Sequence, residues 1–211
     1  MANIDAPNGA KPVRFLSGAP WNGQTNMYLL DSGDGTATFV GDFVKLGGSA
    51  GSAGTVVNGI DVEGMPTIVQ AAAGDTLILG VVVGFLPNVT NPSAVNYRLA
   101  STNRIALVVD DPYVIFEIQE DSVTGTLVAA DVGLNVDFIV AAGSTTTGLS
   151  GMEINSDGSL GTGTANLRIL RLVPRPDNHQ GDNATSSSST YVNARYEVLI
   201  NEHAFKSTTG L

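Results

Sequence analysis

Two histidines are the side chains in this sequence best suited to acid–base or metal chemistry. His179 and His203 lie about two dozen residues apart, and neither has an acidic neighbour at the spacing of a metal-binding motif. The chain has no cysteine, which excludes thiol nucleophiles, disulfides and cysteine zinc sites. It has no Walker-A loop and no dinucleotide-binding fingerprint. A hydrolase that uses one of these histidines is therefore the weakest of the functional hypotheses.

Paired carboxylates are the second group that could do chemistry. Asp110 and Asp111 precede Pro112, and this spacing predicts a turn, while adjacent strand residues would point to opposite faces. Residues 31–35 and 155–158 resemble fragments of calcium loops but lack the full ligand pattern, so we interpret them as hairpin turns. The sequence thus predicts no metal, no cofactor and no enzymatic activity.

The charge of the chain limits its partners. Twenty acidic residues oppose ten basic residues, so the formal net charge is −10. Residues 31–165 hold fifteen acidic and three basic residues, whereas residues 1–30 and 166–211 each carry a net charge of +1. Nucleic acids and anionic lipids repel a protein of this charge at long range. We therefore expect neither nucleic-acid nor membrane partners, and we place a protein partner at the near-neutral ends.

The first thirty residues differ from the rest in composition. Three prolines and two glycines within residues 3–21 prevent a helix and interrupt strand pairing, which predicts an extended arm. This arm either packs its tryptophan on its own domain or reaches a neighbouring subunit. Arginine and aromatic residues are typical anchors of interfaces, so the second alternative makes four residues candidate partner contacts: Arg14, Phe15, Trp21 and Asn22.

Three arginines form the second candidate contact region, near the C-terminus. Arg168 and Arg171 lie within the apolar strand-like stretch 167–173, and Arg175 follows it. Residues three apart face opposite sides of a regular strand, which argues against a basic stripe for phosphate. Each guanidinium is expected to pair with an acidic residue of the segment 31–165, within the chain or on a neighbouring subunit.

Alternating apolar and polar residues predict antiparallel strands. Val114, Phe116 and Ile118 fall on one face of a predicted strand, with Glu117 and Gln119 on the other. Residues 191–201 alternate between apolar and polar, except at Leu199. No stretch shows a convincing helical period over eleven or more positions. The 25 glycines and many other turn residues separate the short strands. The predicted fold is all-β, an antiparallel sandwich or barrel with an extended N-terminal arm.

The chain is expected to consist of an arm, residues 1–30, and a β-rich domain, residues 31–211. Residues 47–54 are glycine, serine and alanine almost throughout and predict a flexible loop, which could belong to an insertion at about 47–75. Residues 177–190, with four consecutive serines, predict a polar loop. The N-terminus lacks the features of a signal peptide, and the longest apolar run, 76–86, is shorter than the roughly 20 residues that span a bilayer.

Both ends of the chain resemble a known group of proteins. The stretches MANIDAPNG (1–9), PVR (12–14), GAPWNG (18–23) and LRILRLVPRPDN (167–178) are similar to parts of tailed-bacteriophage structural proteins, including capsid decoration or cement proteins. The resemblance implies a β-rich protein of the virion, made in the host cytoplasm, that binds the outer surface of the capsid.

Its expected partners are the major capsid protein and further copies of itself, as a homotrimer. An extended arm and repeated weak contacts suit such a lattice, because weak contacts add up by avidity. The alternative is a tail or fibre component that binds a host receptor or glycan through residues 47–54 or 177–190.

Overall fold

The computed structural model describes residues 3–89, 91–157, 160–161, 163–181 and 191–207. Its all-β architecture confirms the predicted fold class. In these ranges the strands are β1 (Lys11–Phe15), β2 (Asn26–Leu30), β3 (Phe43–Ala50), β4 (Val56–Val57), β5 (Ile60–Asp61), β6 (Pro66–Gln70), β7 (Ile78–Phe85), β8 (Arg104–Val109), β9 (Val114–Gln119), β10 (Asn135–Val136), β11 (Phe138–Ile139), β12 (Glu153–Ile154), β13 (Leu167–Leu172) and β14 (Arg195–Ile200).

Five strands form a closed barrel in the order β2-β6-β3-β7-β8. Neighbouring strands are antiparallel except β2 and β6, which are parallel. Closure leaves no unpaired strand edge in this part of the molecule. The barrel interior is apolar and is filled by buried side chains from all five strands: Tyr28, Leu30, Val44, Ile68, Leu79, Val82, Ala106 and Val108.

A second sheet, in the order β1-β9-β14-β13-β10, packs against the outside of the barrel. Phe43 of the barrel lies at the centre of this interface, edge-on to Phe116 and stacked on Phe138, with ring centres 6.5 and 4.7 Å apart. Aromatic pairs of this kind add to the stabilisation from apolar burial. The layer between barrel and sheet is the largest apolar core among the described residues.

The hairpin β4–β5 covers another side of the barrel. Its Val57, together with Val62, packs on the outward-facing Leu29 and Ile105. Residues 51–65 thus make an excursion between β3 and β6, whereas the flanking parts of the predicted insertion at 47–75 belong to barrel strands and their connection.

The glycine-rich stretch at 47–54 differs from its prediction, because β3 continues through it to Ala50. Between Leu46 and Ala50 the strand bulges away from regular pairing with β6. A Cβ atom on Gly47 would lie 2.7 Å from the Thr67 hydroxyl, and Gly48 has a φ of +76°. The glycines therefore serve a β-bulge rather than a free loop. Of the predicted polar loop 177–190, residues 182–190 lie outside the described residues.

The predicted boundary at residue 30 also differs from the structure. β1 is an edge strand of the five-stranded sheet, and β2 is a barrel strand. Pro12 is tolerated in β1 because an edge strand needs only one paired side. Residues 3–10 have no regular secondary structure and lie on their own domain: the Asn3 amide donates to the Val192 carbonyl and Ala10 N–H to the Gly41 carbonyl, at 2.8 and 3.0 Å.

Helical structure is limited to short turns in the described residues. Ala129–Asp131 and Ala204–Lys206 are single 3₁₀ turns. None of the helical segments in these ranges has the length and apolar character needed to cross a membrane.

Candidate functional site

A cleft of about 350 Å³ lies where β1, β8, β9 and the C-terminal 3₁₀ turn converge. We call it the aromatic–acidic cleft because three aromatic rings and two carboxylates face it. Two residues predicted from sequence, Phe15 and Trp21, line it. Its other chemically distinctive lining residues are Asn26, Asp110, Asp111 and Phe205.

A tight turn after β1 positions Trp21 in this cleft. Phe15 N–H donates to the Ala19 carbonyl at 2.8 Å, and Gly18 within the turn has a φ of +93°, which favours glycine. Trp21 N–H then donates to the Val13 carbonyl at 3.2 Å, so the chain returns along β1. The indole N–H donates to the Gln24 carbonyl at 3.1 Å, which fixes the ring against the core.

Asp110 lies at the inner end of the cleft and is held by neutral donors. The Tyr28 hydroxyl donates to Asp110 Oδ2 at 2.6 Å, and the Asn26 amide donates to both carboxylate oxygens at 2.9 and 3.0 Å. Burial, reinforced by the Asp110 carboxylate, raises the pKa of Tyr28, so this hydroxyl keeps its proton. Asp110 is therefore held in one orientation by donors that carry no charge.

Asp111 lies at the mouth of the cleft, where it is exposed and accepts a 2.7 Å hydrogen bond from Tyr113 N–H. The predicted turn at Asp110-Asp111-Pro112 is confirmed. Both aspartates are among the residues that line the cleft. They follow the end of β8 at Val109, where strand alternation no longer applies.

Large apolar side chains are exposed at the cleft and beside it: Phe205 lines the cleft, while Leu16 and Tyr113 adjoin the lining residues Phe15 and Val114 in the chain. We call these three residues the apolar rim. Leu16, Tyr113 and Phe205 have exposed fractions of 51%, 55% and 56%. Leu16 N–H donates to the Tyr113 carbonyl at 2.7 Å, so these two residues are direct neighbours. Asn22 is exposed on the adjacent turn, where its N–H donates to the Gln24 side chain at 3.2 Å. An exposed apolar rim around a partly buried tryptophan is typical of a protein-binding surface.

The remaining candidate of the N-terminal region, Arg14, lies on the outer face of the five-stranded sheet. Its guanidinium donates to the buried carboxylate of Glu197 at 2.6 Å. Arg171 donates to the same carboxylate with two nitrogens, at 2.7 and 2.9 Å. Burial raises the pKa of Glu197, but the hydrogen bonds from Arg171 and Arg14 outweigh it and lower the pKa overall. These two arginines therefore stabilise the sheet.

A β-bulge corrects the prediction that Arg168 and Arg171 face opposite sides. The register of β13 against β14 shifts between Ile169 and Arg171, which adds one residue and restores the same face. Both arginines are accordingly exposed, while Leu167 and Ile169 are buried.

The three C-terminal arginines have different partners. Arg175 pairs with Glu117 at 2.8 Å, as expected for an acidic residue of segment 31–165. Arg171 instead pairs with Glu197, which lies outside that segment. Arg168 donates to the side-chain oxygens of Asn135 and Asn201 at 3.0 and 3.1 Å, and no ion pair to it is found within the described ranges. Their predicted role as partner contacts stays a prediction.

Removing the Glu197 charge is expected to destabilise the isolated protein. In a Glu197→Gln variant, two guanidiniums lose their shared anion at a buried position, and we expect the free energy of unfolding to fall by about 2 kcal/mol. Chemical denaturation of the purified chain would measure this change. Glu63→Gln, at an exposed position, is the matched control and should lie within about 0.5 kcal/mol of wild type. Equal stabilities of the two variants would contradict a structural role for Arg14 and Arg171.

Neither histidine belongs to a cluster of possible metal ligands among the described residues. His203 is buried, and its Nδ1 accepts from Phe205 N–H at 3.1 Å. His179 packs on Tyr191 with ring centres 4.7 Å apart. No group of three or more histidine and acidic side chains in the described ranges is arranged to hold a metal ion.

One sequence match to a catalytic motif is explained by the fold. Residues 47–51 have the Gly-x-Ser-x-Gly spacing of a nucleophile elbow, which needs a turn between a strand and a helix. Ser49 instead lies within β3, and its hydroxyl hydrogen-bonds the Thr67 hydroxyl at 2.8 Å. Ser49 therefore does not occupy the strand-to-helix turn that a nucleophile elbow requires.

Sequence reasoning missed Asn26, Asp110, Asp111 and Phe205 as members of one site. The turn signal at Pro112 located the carboxylates, but no spacing in the sequence links them to Phe205, which lies more than ninety positions along the chain.

Comparisons of the chain with family models, with curated proteins and with solved structures found no match.

Proposed function

We propose that this chain is a structural protein of a bacteriophage virion that binds the outer surface of the capsid lattice and bridges capsid subunits. The observation that supports binding most directly is the exposure of Leu16, Tyr113 and Phe205, of which Phe205 lines the aromatic–acidic cleft and the other two adjoin its lining residues in the chain. The phage capsid as the partner is supported by the resemblance of both chain ends to decoration proteins.

Of the two alternatives that the sequence left open for the N-terminal region, packing on its own domain is the one observed. Residues 3–10 are bound to their own domain, and Arg14 is engaged with Glu197. Phe15, Trp21 and Asn22 remain at or beside the cleft, next to the rim. We therefore place the lattice contact on this face of the folded domain rather than on a detached arm. A homotrimer would present three such faces at once, and native mass spectrometry would test that assembly state.

Binding to undecorated heads tests the proposal. Wild-type protein should occupy the heads saturably, and a Leu16→Ser/Phe205→Ser variant should bind at least tenfold more weakly, because the rim loses two large apolar contacts. The matched control is Val56→Ser/Val123→Ser, which removes two apolar side chains of 61% and 62% exposure outside the cleft. Absence of wild-type binding would refute the capsid role. Equal binding of Leu16→Ser/Phe205→Ser and its control would show that the lattice contact lies elsewhere on the protein.

Imaging of labelled protein bound to phage particles distinguishes the tail or fibre hypothesis from the capsid hypothesis. Label on the tail alone would favour binding to a host receptor or glycan. Of the two loops first considered for this role, residues 47–50 are part of β3. The loop alternative then depends on residues 51–54 and 177–190.

A further inference from the structure

We propose that the aromatic–acidic cleft binds a cationic side chain, lysine or arginine, of the partner protein. This inference deepens the proposed function, on which the identity of the partner as a capsid protein depends. The cleft combines two features that together recognise an organic cation. Aromatic ring faces attract an ammonium or guanidinium group, and carboxylates neutralise its charge.

The aromatic half of the site is contributed by three segments distant in sequence. Phe15 ends β1, Trp21 follows the turn after it, and Phe205 lies on the C-terminal 3₁₀ turn. The cleft volume of about 350 Å³ falls within the range of sites that enclose small organic ligands, so it accommodates an inserted side chain.

The two aspartates of the site form no direct ion pair within the described residues. No lysine or arginine nitrogen in the described ranges lies within 4.0 Å of the Asp110 or Asp111 carboxylate. The donors to Asp110 are the neutral Tyr28 hydroxyl and Asn26 amide. Negative charge thus remains at the cleft, and charge complementarity selects a positive occupant over a neutral one.

The rim already holds one cation of the chain itself. The Lys206 ammonium lies 4.9 Å from the centre of the Tyr113 ring. Burial lowers the pKa of Lys206, and the field of Asp111 opposes that lowering, so the carboxylate acts on an ammonium at this position. At the rim, therefore, a cation lies beside both an aromatic ring and a carboxylate. The cleft offers a partner cation the same two kinds of group.

Trp21 provides a direct readout, because it is the single tryptophan of the chain. Titration of the full-length protein with n-butylammonium chloride and with butylguanidinium chloride should change Trp21 fluorescence saturably. Equal concentrations of 1-butanol and methyl glucoside should leave the emission unchanged. Added salt should weaken the effect of the cations, because their attraction to exposed Asp111 is screened.

A conservative variant isolates the carboxylate. Asp111→Asn keeps an acceptor for Tyr113 N–H but removes the charge, and it should weaken butylammonium binding at least threefold. Asp61→Asn is the matched control, since Asp61 is an exposed residue that accepts from Glu63 N–H in the same i to i+2 geometry, at 3.0 Å, on the β4–β5 hairpin. Its affinity should equal that of wild type. Equal affinity of wild type and Asp111→Asn would overturn the proposal.

The same variants separate this inference from the capsid role. If wild type binds heads and Asp111→Asn binds at least threefold more weakly, with Asp61→Asn unchanged, both proposals are supported. If wild type and Asp111→Asn bind heads equally and no cation changes Trp21 emission, the cation site is refuted and the capsid role stands. If cations bind but wild type does not bind heads, the capsid role is refuted alone. A response to methyl glucoside without a response to cations would identify a glycan site instead.

Discussion

Replacing Arg98 with alanine is expected to lower the free energy of unfolding by about 3 to 5 kcal/mol, the largest effect of any single substitution considered. Arg98 is fully buried, although it lies in the irregular connection between β7 and β8. Its guanidinium donates to the Thr36 and Asp31 carbonyls, pairs with Asp34 at 3.3 Å, and donates through Nε to the Thr102 carbonyl at 2.9 Å.

The magnitude follows from what the substitution leaves behind. Alanine at position 98 would leave three backbone carbonyls and one carboxylate without their donor in a partly buried place, and each group that stays unsatisfied there costs about 1 to 3 kcal/mol. It would also open a cavity the size of the lost side chain. Residues 31–36 and 98–102 would then keep the backbone hydrogen bond from Ser101 N–H to the Asp34 carbonyl but lose the guanidinium that bonds to both segments.

Denaturant titration monitored by circular dichroism would measure the loss. Arg175→Ala is the matched control, because Arg175 is half exposed and its pair with Glu117 is of the surface type, which contributes less than about 1 kcal/mol. A conservative Arg98→Lys variant supplies a folded intermediate case, since lysine keeps the charge but satisfies fewer acceptors. Stability of Arg98→Ala within 1 kcal/mol of the control would show that Arg98 does not join these loops.

The second large effect is a pH-dependent stability that depends on Glu120. Its carboxyl group is fully buried, and burial raises its pKa from 4.5 to about 7 despite hydrogen bonds from the backbone N–H groups of Leu127 and Ala194. A raised folded-state pKa contributes stability that is complete below pH 4.5 and is lost as the pH rises through about 7. Glu120 should therefore stabilise the protein by about 2 to 3 kcal/mol more at pH 5 than at pH 8.

The comparison of variants isolates this contribution. Glu120→Gln should remove about 2 to 3 kcal/mol from the difference in unfolding free energy between pH 5 and pH 8. Glu63→Gln, at an exposed site, should keep the wild-type difference while making the same change in formal charge. Parallel pH profiles of wild type and Glu120→Gln would show that Glu120 is ionised to the same extent in the folded and unfolded states.

His203 contributes with the opposite sign, so the wild-type profile alone is not decisive. Burial lowers the pKa of His203 to about 4, and the stability it contributes is present above pH 6.5 and is lost as the pH falls through about 4. Between pH 8 and pH 5 this loss partly cancels the gain from Glu120. The difference between Glu120→Gln and its control remains unaffected, because His203 is present in both.

Much of the strand pattern was predictable from sequence. Val114, Phe116 and Ile118 are buried on one face of β9, as their alternation predicted, and β13 and β14 fall within the predicted stretches 167–173 and 191–201. A period of two residues is a property of the extended backbone itself, so it is visible wherever one face of a strand meets a core.

Irregularities in pairing were not predictable in the same way. The bulge between Ile169 and Arg171 places Arg168 and Arg171 on one face, and the bulge in β3 converts a glycine-rich stretch into strand. A bulge depends on how a strand meets its partner, and that partner is distant in sequence. Pro12 is a similar case, because a proline fits in β1 only where β1 lies at a sheet edge, and the position of a strand in the sheet is set by its partners.

By itself, the sequence determined the all-β class, the turn at Asp110-Asp111-Pro112 and the lack of a cysteine-based site, because composition and local backbone preference suffice for these. Tertiary structure alone decided that Phe15, Trp21, Asp110 and Phe205 share one cleft and that Arg14 is bound to Glu197. Side chains far apart in the chain meet only when sheets pack and strands take their register, and no local pattern of residues predicts such long-range contacts.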